Sequence, residues 1–175
     1  IRRVETIKAS TYILRIGICG DDMVDKKILS RKIALQKVRN ILKAIKGIKI
    51  LCIYEECDFT LERISTMEYT SYSKQPDSKL PIDSNDSLIY QWIIETMKLK
   101  NNDVLFLLCN GIWIKIQIIE VTTATQSLWN NTEGCSKGIT VLTENMDKLL
   151  EVGNDSRDEW NYLFDEYSIA NSSLS

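Results

Sequence analysis

With 175 residues, 44% hydrophobic and 26% charged, the chain has the size and composition of one soluble globular domain with a real core. It contains no histidine, which removes Ser-His-Asp and Cys-His nucleophile systems, histidine general bases and His-containing zinc sites; acid–base chemistry would fall to carboxylates, lysine, tyrosine or cysteine. The net charge of −2 hides an asymmetry, because residues 1–50 hold thirteen basic and four acidic residues (net +9) and the remainder nine and twenty (net −11).

No apolar run approaches the ~20 residues that span a bilayer. No leader-peptide pattern is legible from Ile1 onward, although an earlier segment could have been removed. The five cysteines (Cys19, Cys52, Cys57, Cys109 and Cys135) are odd in number, include no CxxC pair, and lie partly within apolar strand-like runs. That pattern predicts free thiols and a cytoplasmic location. One domain over 1–175 is expected, with no cofactor, no metal and no membrane partner.

In chain order, residues 11–18 (TYILRIGI) predict a strand, and Cys19-Gly20-Asp21-Asp22 a turn into a helix over 23–46, capped by Asp21 or Asp22. Val24, Ile28, Leu35, Val38, Ile41, Leu42 and Ile45 form its apolar stripe, and Gly47 supplies a left-handed C-terminal cap. A strand follows over Ile48–Tyr54, then a second strand-like stretch, Phe59 to Tyr72. Residues 73–86 contain both prolines and predict an exposed loop. Ser84 or Asp86 then caps a helix over 87–98, with Leu88, Ile89, Trp92, Ile93 and Met97 on its buried face.

The strongest signal lies between Asp103 and Val121. Two apolar runs flank Asn110-Gly111, the dipeptide suited to a type I′ turn because both central residues need φ > 0. Strand 104–109 is apolar throughout and belongs mid-sheet. Strand 112–121 alternates Ile112, Ile114, Ile116 and Ile118 against Trp113, Lys115, Gln117 and Ile119, so one face is sealed and the other partly wet. Beyond it, Thr122 to Trp129 extends this strand or starts another. Gly138 to Leu142 predicts a short strand, Thr143 the cap of a short helix to Glu151, and Asp155 the cap of a last helix over 156–167 with Trp160, Leu163, Phe164 and Tyr167 at helical spacing. The fold class is therefore α+β, a mainly antiparallel sheet built around the central β-hairpin (104–121) with helices packed on one face.

Four places could carry chemistry. The Gly17–Asp22 turn has the form of an anion-binding helix start, but Asp21, Asp22 and Asp25 repel phosphate, and the dinucleotide and Walker fingerprints are missing. From Lys26 to Lys49 nine basic residues occur with no acidic one; without interleaved aromatics, a solvated face pairing with the acidic half explains them better than a nucleic-acid surface does. Asp77, Glu95 and Lys98 lack the Glu-x-Lys spacing of a nuclease metal site, and Glu55, Glu56 and Asp58 could hold a hard cation or form a solvated turn.

The fourth is the acidic, aromatic segment from Glu144 to Tyr167. Asp155, Asp158, Glu159, Trp160, Tyr162, Asp165 and Glu166 combine aromatic anchors with carboxylates, the chemistry that recognises a basic protein partner. The competing explanation is that Trp160, Leu163, Phe164 and Tyr167 dock the last helix on the sheet. The expected function is a non-enzymatic cytoplasmic protein-binding domain, in its sharpest form a bacterial toxin-neutralising (immunity-type) protein. The rivals are a carboxylate- or metal-dependent enzyme such as a nuclease, and a nucleic-acid-associated subunit acting through the helix over 23–46.

Overall fold

The computed structural model describes residues 26, 28–55, 61, 74–131 and 137–169. The chain divides into two compact units, residues 1–37 and 38–175. Residues 28–44 are helical (α1), 28–37 in the first unit and 38–44 in the second. The expected strand over 11–18, the Gly17–Asp22 turn, the segment from Phe59 to Tyr72 apart from Leu61, and the tail from Asn171 lie outside the described residues.

The second unit is built on a seven-stranded sheet: β1 (Ile48–Ile53), β2 (Ser78–Pro81), β3 (Val104–Cys109), β4 (Ile112–Ile118), β5 (Gly138–Thr143), β6 (Lys148–Asp155) and β7 (Asp158–Ser168). The strand order is β1-β4-β3-β5-β6-β7-β2, and every pairing is antiparallel. With helices α2 (Asp86–Met97) and α3 (Val121–Asn130), this is the α+β architecture expected from the sequence.

The β3–β4 hairpin lies where the alternation put it. Asn110 and Gly111 have φ of +47° and +73°, as a type I′ turn requires. Ile112, Ile114, Ile116 and Ile118 are all at or below 2% exposed, whereas Ile119, on the opposite parity, is half exposed. β3 sits between β4 and β5, covered on both faces, which accounts for its unbroken apolar sequence.

α2 and α3 pack on one another and against the sheet, α2 at β2 and α3 at β5; Ile89, Trp92 and Ile93 on α2 and Ala124, Leu128 and Trp129 on α3 are buried. Trp129 meets Tyr162 of β7 edge-on, with centroids 5.0 Å apart. On the opposite face Phe106, Trp113, Leu142, Leu149 and Tyr167 form a second cluster with Leu61, whose carbonyl accepts a hydrogen bond from Trp113 Nε1 at 3.1 Å.

α2 starts at Asn85, one residue from the expected caps; its side chain accepts from Leu88 N, and Lys98 ends the helix in the left-handed conformation. Leu88 is 45% exposed instead of buried, and Tyr90 takes a place on the covered face. α1 ends at Ala44, three residues short of Gly47, which does adopt φ +75° just before β1; a Cβ there would stand 2.5 Å from Ala124 N, and its carbonyl accepts from Ile119 N and Glu120 N.

Four expectations are corrected. Residues 122–129 are helical, because the Glu120 carboxylate accepts from Thr122 N and Thr123 N at 3.0 and 2.6 Å and the i, i+4 pairs Ala124/Leu128 and Thr125/Trp129 fall on one buried side. The proposed helix from Thr143 to Glu151 is instead a turn followed by β6; Thr143 Oγ1 accepts from Lys148 N and donates to Asp147, closing the β5–β6 connection. The proposed helix over 156–167 is β7, joined to β6 by the two residues Ser156 and Arg157. The stretch 73–86 contains a strand, β2, which pairs with β7 from Ser78↔Phe164 to Pro81↔Asn161. Its proline sits at the sheet edge, where a missing N–H costs no ladder bond.

Cys52 and Cys109 are free thiols. Among the described residues no helix is long and apolar enough to cross a membrane.

Candidate functional site

Because residues 158–168 are a strand, the predicted partner residues separate onto different surfaces. Trp160 is 80% exposed, the one open indole of four, since Trp92, Trp113 and Trp129 are all buried. Glu159 beside it is exposed and forms no ion pair among the described residues. Asp158 is the first residue of β7, accepting from Lys79 Nζ at 2.8 Å, Asn161 Nδ2 at 3.0 Å and Trp160 N at 3.1 Å. Those donors hold its carboxyl down at about 2.

β2 completes this end of the sheet. Ile82 N donates to the Trp160 carbonyl at 3.0 Å, which sets exposed Ile82 across from Trp160 at the sheet edge, with exposed Asp83 following it in the chain. A shallow concavity of about 300 Å³ opens here, lined by Ile82, Asn154, Asp155, Ser156, Asp158 and Glu159. Exposed Ile82 and the carboxylates of Asp155, Asp158 and Glu159 thus line one concavity, next in the chain to the exposed Trp160.

Tyr162, Asp165 and Glu166 lie elsewhere. Tyr162 is buried against Trp129. Glu166 pairs with Lys148 at 2.6 Å, and its backbone N–H donates to Asp77 at 2.7 Å. Asp165 is 3% exposed, on the opposite face of β7.

Asp165 belongs to a second polar site. Thr140, Glu151 and Asp165 lie in one row across β5, β6 and β7, in the register Thr140↔Glu151↔Asp165. Arg157 folds back from its turn and bridges Asp155 and Asp165 through Nη2, while Nη1 donates to the Lys74 carbonyl at 3.1 Å. This pairing holds the Asp155 carboxyl below the usual carboxylate range. Burial pushes the Glu151 carboxyl up; Thr140 opposes this, and the Asp165 and Asp155 charges add to it. Neither Arg157 nor Glu151 stands out in the sequence, because only the β6–β7 register brings them to Asp165.

The remaining candidates are placed apart. Asp77 is held by Lys74 Nζ at 2.8 Å, while Glu95, on α2, accepts from Gln91. Glu55 pairs with Arg39 of α1, one contact of the kind expected between the basic helix and acidic residues. Glu56 and Asp58 lie outside the described residues. Among the described residues no group of three His, Cys, Asp or Glu side chains is arranged to hold a metal.

No family model, curated protein or solved structure matches the chain.

Proposed function

We propose that this chain is a non-enzymatic, cytoplasmic protein-binding domain that docks a basic partner on the surface around Trp160. The observation that carries the reading is the 80% exposure of that indole, next in the chain to Asp158 and Glu159, which line the neighbouring concavity. A large flat side chain left in water at a strand end gains up to about 3 kcal/mol when covered. Tryptophan is also the residue type most enriched among binding hot spots. Asp83 and Glu159 form no ion pair among the described residues, so their charge is available to steer and orient lysines or arginines.

The partner-binding set is then Ile82, Asp83, Asp155, Asp158, Glu159 and Trp160. Tyr162, Asp165 and Glu166 support it from within the sheet. A toxin-neutralising protein that covers a basic active site is the sharpest form of this reading, since an acidic surface with one aromatic anchor complements such a cleft. The cytoplasmic assignment rests on the free thiols.

The test is affinity capture of a partner by the wild-type chain, followed by binding of the purified partner to Trp160→Ala and to Asp83→Lys/Glu159→Lys. Loss of affinity by about 30-fold in the first, the ~2 kcal/mol of a hot spot, is the expected result. A partner that binds both variants like wild type would remove this surface from the function.

A further inference from the structure

The groove beside Glu151 adjoins the concavity near Trp160, sharing Asn154 and Asp155 with it, but is centred on other side chains and has chemistry of its own. Its volume is about 290 Å³, at the small end for ligand pockets, and Lys137, Thr140, Glu151, Asn154 and Asp165 are among its walls. The floor is bare backbone where Gly138 and Gly153 pair across β5 and β6. A Cβ on Gly153 would come within 2.3 Å of the Lys137 carbonyl and 2.7 Å of Gly138 Cα, so no side chain fits there.

Positive charge is unevenly shared among the three carboxylates. Arg157 satisfies Asp155 and one oxygen of Asp165. The other oxygen, Asp165 Oδ1, is fully buried and accepts no hydrogen bond; Lys74 Nζ stands 3.5 Å away, occupied by Asp77 at 2.8 Å and the Glu166 carbonyl at 2.9 Å. Glu151 forms no ion pair among the described residues, and Thr140 Oγ1, at 3.4 Å, is its one hydrogen-bond donor there. The lysine on the groove wall does not help, because the Lys137 ammonium lies over the Trp129 ring, 5.8 Å from its centroid.

We propose that this groove binds a small organic cation, a guanidinium or primary amine, received by the Glu151 carboxylate with Thr140 and Asn154 beside it. The chain's own Arg157, seated between Asp155 and Asp165 along the same wall, is the internal precedent for a guanidinium held by these strands. Anions are repelled by Asp155 and Asp165. A directional N–H donor supplies the charge and hydrogen bonds that Glu151 lacks.

The experiment is an NMR titration of the full chain with agmatine, following the amides of Gly138, Gly153 and Asn154. Saturable shifts at these amides are expected, weakened about ten-fold or more in Glu151→Gln and unchanged in Glu159→Gln, which lies on the other surface. Binding should also tighten as pH rises and Glu151, whose carboxyl burial pushes up, loses its proton. A melting curve for Glu151→Gln at least as stable as wild type shows that the fold is kept, and Thr140→Val provides a second variant of the same wall. Absence of saturable shifts, equal affinity in Glu151→Gln, or equal response to the uncharged polyol sucrose would each overturn the proposal.

Discussion

Glu151 and Asp165 stand directly opposite one another across the β6–β7 ladder, two carboxylates on one face with a single guanidinium, Arg157, reaching the second of them. Like charges facing one another across a ladder destabilise it unless one is neutralised or bridged. Here Arg157 bridges Asp165 to Asp155, and Glu151 retains its proton more readily.

Arg157→Ala should therefore be costly. It leaves Asp165, with a side chain 5% exposed, without its guanidinium, and such a removal costs on the order of 3 kcal/mol. Chemical denaturation should show that loss. The combined replacement Arg157→Leu/Asp165→Leu should restore most of it, because the most deeply buried of the carboxylates that Arg157 pairs is removed with it. A single variant as stable as wild type would mean that the bridge does not hold the β6–β7 turn.

Glu151 predicts the opposite sign. Its folded-state pKa is raised above the ordinary 4.5, so the folded state binds the proton more tightly than the unfolded one. The stability associated with this carboxyl is present below about pH 4.5 and declines as pH rises through the folded value. Glu151→Gln should raise the melting temperature at pH 7–8, and the gain should fade towards pH 4. A gain that grows on acidification would contradict the assigned environment.

At the β3–β4 turn, Gly111→Val should destabilise by roughly 1–3 kcal/mol, because φ of +73° is a conformation that a β-branched residue adopts only under strain. Space is not the cause, since a Cβ at Gly111 meets nothing within 4 Å. An unchanged melting curve would exclude the left-handed turn. This hairpin was legible because its register follows from local chemistry: Asn-Gly between two apolar runs, one alternating and one buried on both faces.

The β6–β7 hairpin was not legible for matching reasons. Its turn, Ser156-Arg157, carries no glycine or asparagine signal, and residues 162–165 are all buried, so the period of two disappears. What remained was the spacing of Trp160, Leu163, Phe164 and Tyr167, which imitates a helix. β2 contributes just one buried side chain, Leu80, and pairs with a strand more than eighty residues away at Ser78↔Phe164. The site inherited these errors. A helix would have exposed Asp158, Glu159, Asp165 and Glu166 together, whereas the strand sends Asp165 inward and leaves Glu159 and Trp160 in water.

Fluorescence reports on that environment. With Trp92, Trp113 and Trp129 buried, the quenchable emission should come from Trp160; measured relative to the quenching of free N-acetyltryptophanamide by the same ion, caesium should quench it more strongly than iodide because neighbouring carboxylates attract cations. Charge reversal by Asp83→Lys/Glu159→Lys should reverse that order. Equal quenching by both ions relative to the free tryptophan analogue would mean that the nearby carboxylates exert no field on the indole.

The most direct test is the association of a captured partner with wild type, Trp160→Ala and Asp83→Lys/Glu159→Lys at two ionic strengths. If the Trp160 surface is the docking site, Trp160→Ala speeds dissociation. The double reversal slows association by about ten-fold or more at low salt, and most of that difference vanishes near 0.5 M salt, where the screening length falls to roughly 4 Å. Wild-type rates in both variants at both salts would contradict a partner docked on Trp160.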